Sequence, residues 1–208
     1  TSYLDYLVGK NGEAVTYRGD FALRGMKQYW LHTKEAASGL GNNKDVGSDF
    51  YPYPKETSFT GQIRFSNLSE EELGMLLWSL LLEKNSQQNI GKGKPYGFGR
   101  VEISLKQLNI LDTAAMYDSE TLCLELYREE KELCSEYVDK AKKDMTRFLG
   151  KDVMEHPPVR DFLLMKNGNE IPDDSKTHYM SIEGRDSDYQ VRNREQIPLD
   201  TIGVVMGK

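Results

Sequence analysis

Ile-Gly-Lys-Gly-Lys-Pro-Tyr-Gly-Phe-Gly-Arg-Val-Glu-Ile-Ser-Leu-Lys, residues 90–106, is the stretch on which the fold depends. Gly91, Gly93, Gly97 and Gly99 are interleaved with Lys92, Lys94 and Arg100, and Pro95, Tyr96 and Phe98 fill the rest of the segment. Glycine lets a backbone adopt positive φ and approach a ligand closely. Successive exposed N–H groups make concave anion sites. Three cations and two rings added to such a backbone suit single-stranded nucleic acid, with phosphates held by Lys, Arg and N–H and bases or riboses by the rings.

The loop is not a Walker A element, which needs Gly-Lys-Ser/Thr opening a helix; here Pro95 follows Lys94. The residues after Arg100 alternate instead, with Val101, Ile103 and Leu105 on one face and Glu102, Ser104 and Lys106 on the other. That is the period of a strand. Without a strand–loop–helix order the loop is no dinucleotide fingerprint either. Two readings stand side by side: a binding loop, and a glycine-rich hairpin or bulge leading into a strand.

Upstream, Phe59-Thr60-Gly61-Gln62-Ile63-Arg64-Phe65-Ser66 alternates as a strand. Ser69 with Glu72 three residues later is a capping box, and Leu73, Leu76, Leu77, Leu80 and Leu81 recur on one helical face. The spacing predicts a helix ending near Glu83. Strand, helix and the strand at 100–106 make the second half of a ferredoxin-like (RRM-like) unit. Its first half is either residues 1–32, read as irregular strands with a turn at Asn11-Gly12 and a bulge at Gly25, or lies outside this chain. Residues 33–58 form a long loop, of the length that is usually functional or disordered.

Downstream, residues 119–149 are expected to form one helix, with Leu126, Leu133, Tyr137, Met145, Phe148 and Leu149 as its apolar stripe and Gly150 as its stop. The acidic side chains along it read as a solvated face. Phe162–Met165 and His178–Ile182 are short strand candidates. The fold class expected is α+β: a ferredoxin-like core with a glycine-rich loop over residues 1–112, and a helical, loop-rich extension over 113–208.

The 208 residues carry a net charge of −6, which argues against a generic nucleic-acid binder. The charge is uneven. Residues 1–112 balance at 13 basic and 13 acidic side chains, while 91–106 alone is +3. A local positive site on an acidic protein still holds RNA, with weaker long-range steering. No apolar run reaches the length of a membrane span, so no membrane partner is expected. No signal-peptide pattern opens the chain, and two cysteines, Cys123 and Cys134, form neither a disulfide framework nor a zinc site. A reducing cytoplasm is the expected setting. The chain begins at Thr1 rather than Met, as expected of a trimmed or partial subunit.

Three blocks together resemble the RAMP superfamily of CRISPR-associated proteins, and within it the backbone subunits of type III effector complexes. They are Leu23-Arg24-Gly25-Met26-Lys27-Gln28-Tyr29-Trp30-Leu31-His32, the strand and helix from Phe59 to Gly74, and Ile90 to Gly99. The tail from Tyr179 to Leu199 is similar to that family's C-terminus. The resemblance implies a ferredoxin-like core whose glycine loop touches guide RNA. It also implies CRISPR RNA and target RNA as ligands and other RAMP subunits as partners.

The RNA-contact candidates are Gly91, Lys92, Gly93, Lys94, Tyr96, Gly97, Phe98, Gly99 and Arg100. In such subunits a loop aspartate cleaves target RNA with a divalent metal. Asp45 and Asp49 are the candidate carboxylates here, with Mg²⁺ needed only if target RNA is cleaved; no other cofactor or metal is implied. The alternative is a metal-independent RAMP-type endoribonuclease processing CRISPR RNA. In it His32 would act as general base, with Tyr29 nearby and Lys94 or Arg100 stabilising the transition state. A third reading, a nucleotide-binding loop or plain hairpin, lacks a supporting motif.

Overall fold

The computed structural model describes residues 7–8, 11, 19–20, 22–23, 28–35, 50–117, 126–181, 184–195, 197 and 199–207. It is an α+β protein. Its described residues form seven α-helices and three two-stranded antiparallel sheets. The chain divides into two units: residues 1–54, 87–101 and 164–208, and residues 55–86 with 102–163.

The second unit is built on two helices. α1 (Glu70–Leu81) starts as its capping box predicts. Ser69 Oγ accepts from Glu72 N at 3.2 Å, and Glu72 returns a carboxylate to Ser69 N at 2.8 Å. Leu73 and Leu77 are buried as the leucine spacing implies, but Gly74 and Trp78 share that face. Gly74 is there because α3 (Cys134–Leu149) passes so close that a Cβ would collide with the Tyr137 carbonyl. Leu73, Leu77, Leu108 and Tyr137 form the core, with Phe65, Leu105, Ile110, Cys134 and Val138 packed on it. A short hairpin completes the unit: β5 (Asn109–Leu111) pairs with β6 (Tyr127–Glu129) in the register Ile110↔Arg128. α2 (Thr113–Met116) follows β5 and is capped by Asp112.

Several expectations are corrected here. The helix expected over 119–149 begins at Cys134, after a 3₁₀ turn at Lys131–Leu133. Tyr127–Glu129 is strand, because its backbone is captured by β5; residues 118–125 lie outside the described residues. Phe148, expected in the stripe, is 88% exposed, and Ala141 is buried in its place. Phe59–Ser66 carries no strand, and only Phe65 of its apolar face reaches the core. An alternating pattern specifies a face, whereas a strand also needs a neighbouring backbone, and none among the described residues ladders with it. After β4 (Arg100–Val101) the alternation persists as burial, with 101, 103 and 105 turned in and 102, 104 and 106 out, again without a ladder.

The first unit contains the glycine loop. β3 (Gln88–Asn89) pairs with β4, Asn89 opposite Arg100, so the loop is the head of a two-stranded hairpin. β1 (Leu7–Val8) pairs with β2 (Ala22–Leu23). Helices supply the rest. α4 (Pro157–Lys166) ends in this unit, followed by α5 (Asp174–Thr177), α6 (Asp188–Glu195) and α7 (Ile202–Met206). Phe162–Met165, expected as a strand, lies inside α4. His178 caps α5 and no strand runs on from it through residue 181. Both runs are short and apolar, the kind for which periodicity does not separate strand from helix.

Candidate nucleic-acid interface

The hairpin stem sets the loop's direction. Ile90 N donates to Gly99 O at 2.7 Å, continuing the β3–β4 pairing by one step. Between them, Lys94–Tyr96 makes a 3₁₀ turn, with Tyr96 N and Phe98 N both donating to Gly93 O. Gly91, Gly93, Gly97 and Gly99 have φ of 82°, 73°, 86° and 71°. At two of them neighbouring backbone also excludes a side chain. A Cβ on Gly99 would strike Ile90 O, and one on Gly97 would lie 2.5 Å from Lys34 O. The four glycines therefore serve the hairpin's own tight path.

The cations differ in what they do. Lys94 Nζ donates to Gly91 O at 2.7 Å and lies 5.6 Å from the Tyr29 ring, bracing the loop from within. Arg100 bonds Gln87 Oε1 through Nε and His32 O through Nη1 at 3.1 Å, yet the residue remains exposed at the stem. Lys92 is exposed, beside Gly91.

The loop's rings are half-buried and covered by rings from elsewhere. Phe98 takes Phe50 edge-on at 5.1 Å, and Tyr96 packs against Tyr179 at 5.2 Å. Burial, with the nearby Tyr179, raises the Tyr96 phenol above its usual range. Tyr96 and Phe98 thus hold the loop to its surroundings, and the rings that face water around it are others.

His32 is buried, its side chain 7% exposed, with Nδ1 3.3 Å from Asp174 Oδ1. Thr33 also holds Asp174, through N at 3.2 Å and Oγ1 at 2.7 Å. Burial pushes the Asp174 carboxyl up, but the Thr33 hydrogen bonds and the His32 imidazole outweigh it and leave it below its usual range. This is the geometry of an anchor tying residues 32–33 to α5, beneath the Arg100 contact. Asp45 and Asp49 lie outside the described residues. Among the described residues no three His, Cys, Asp or Glu side chains converge to hold a metal.

Lys166 was not anticipated. It is 3% exposed, at the end of α4, and its Nζ donates to Asn89 Oδ1 at 2.7 Å and to Tyr29 O at 3.4 Å. Its carbonyl accepts from Gln87 N at 2.8 Å. Burial, aided by the charge of Lys94, lowers its ammonium below the usual lysine range. A lysine, rarely buried without partners, thus holds β3 at Asn89 and at the preceding Gln87. A lysine at the end of an apolar helical run carries no such signal in sequence, because its partners are 77 and 137 residues away.

No helix among the described residues is long and apolar enough to cross a membrane. No protein-family model matches the chain, and no curated protein matches it closely enough to indicate a relative.

Proposed function

We propose that this chain binds single-stranded guide RNA through the glycine loop, as a RAMP-type subunit of a type III CRISPR interference complex. The ferredoxin-like core, the CRISPR RNA and target RNA ligands and the neighbouring RAMP subunits belong to this proposal. One observation carries it: a hairpin loop braced from within by Lys94 and at β3 by Lys166, with Gly91 and Lys92 exposed at its tip and Arg100 exposed at its stem. Bracing fixes the loop before RNA arrives, so less ordering entropy is lost on binding. The endoribonuclease reading has less support, because His32 is buried and occupied by Asp174, while a general base must reach the proton it abstracts.

The test is a gel shift with labelled CRISPR-repeat RNA, with Mg²⁺ or EDTA, beside a denaturing gel. Binding without cutting is the expected result. Lys92→Ala should weaken binding and lower the log–log salt slope by about 0.7, one phosphate contact on a single strand. A wild-type chain that shifts no RNA at any salt concentration would overturn the proposal.

A further inference from the structure

Phe50-Tyr51-Pro52-Tyr53-Pro54 leaves the surface of the glycine loop. Phe50 is its anchor: the ring packs edge-on against Phe98 and lies where a side chain on Gly93 would be. Beyond the anchor, Tyr51 is 98% exposed and Tyr53 is 74% exposed. Rings of this size are normally sheltered, since each holds a large apolar area. The prolines explain why these are not. Pro52 and Pro54 have no N–H to give a ladder, and each biases the tyrosine before it towards extended backbone. The segment therefore joins no sheet and projects alternate rings into water.

We infer that Tyr51 and Tyr53 are a base-stacking platform that continues the glycine loop's path for single-stranded RNA. In extended backbone, residues two apart stand about 6.6 Å from each other. That is close to twice the ~3.4 Å rise per nucleotide of a strand, so successive bases fit on and between the two rings. The charge is complementary, because Lys92 and Arg100 are exposed on the same loop that anchors Phe50. Stacking tolerates any base, which suits a guide whose sequence varies. This inference rests on the RNA-binding reading and adds to it a second, uncharged contact.

The experiment measures affinity of the full chain for single-stranded repeat RNA across a salt series. It compares wild type, Tyr51→Ala/Tyr53→Ala, Tyr51→Phe/Tyr53→Phe and Lys92→Ala. Each lost stack should weaken binding about tenfold, so the double alanine variant falls about a hundredfold at unchanged salt slope, since no counterion release is lost. The phenylalanine pair keeps the affinity, and duplex RNA, with its bases enclosed, does not distinguish the variants. Wild type and double alanine variant binding equally well would overturn the platform and leave the RNA-binding reading standing. A phenylalanine pair as weak as the alanine pair would assign the effect to the hydroxyls and overturn stacking. Failure of the wild type itself to bind would remove both.

Discussion

Gly99 has no room for a methyl group. Its φ of 71° already disfavours any L side chain, and Ile90 O occupies the place a Cβ would take. Gly99→Ala should cost about 3 kcal/mol, the left-handed conformation and the collision together, read as a drop in the denaturant midpoint. An unchanged midpoint would mean that the hairpin does not close between Ile90 and Gly99. Tyr137 makes a different residue-scale statement. Its hydroxyl donates to Glu130, which also pairs with Arg128 Nη2 at 3.2 Å. The hydrogen bond to Glu130 and burial push the phenol from 10 up to about 12. A raised folded pKa means stability that is fully present below pH 10 and lost as the pH climbs towards 12. Tyr137→Phe should lose about 1–3 kcal/mol at neutral pH, because a buried carboxylate loses its donor. It should also flatten the alkaline decline. Equal slopes for the two proteins above pH 10 would disprove the assignment.

At the scale of elements, α1 and α3 are held together by what Gly74 lacks. Alanine is favoured over glycine in a helix by about 1 kcal/mol, yet Gly74→Ala should destabilise by about 1–3 kcal/mol, because the new methyl meets the Tyr137 carbonyl and the helices must part. A stabilised variant in thermal melting would show that the crossing is looser. Ser69→Ala should cost about 1 kcal/mol in the same assay through the lost cap. The sequence made α1 legible to within two residues, since a capping box and an apolar face are local signals. It also made the α+β class and the inward face of 101–105 legible. It misplaced the start of α3 because that outcome depends on distant backbone, β5 capturing Tyr127–Glu129, and it gave a strand to Phe162–Met165 because the period of a short apolar run does not separate strand from helix. In the candidate site, the positive φ of the four glycines was legible from glycine spacing. The direction of the cations was not. That Lys94 points at Gly91 O, that Tyr96 meets Tyr179, and that Lys166 holds Asn89 are facts of tertiary contact.

For the molecule as a whole, a net charge of −6 and a pI near 5.2 set the long-range field against RNA, while the short-range surface of the loop is cationic. The Tyr51 to Pro54 segment has one more consequence, and it concerns digestion. Exposed loop segments are where endopeptidases usually make their first cut. Here each exposed tyrosine is followed by proline, whose ring crowds the scissile amide and removes its N–H. A chymotrypsin-like enzyme, which selects aromatic residues, finds two tyrosines in full view and neither of the peptide bonds after them open to it, so the exposed rings stay in water without becoming places where the chain is severed.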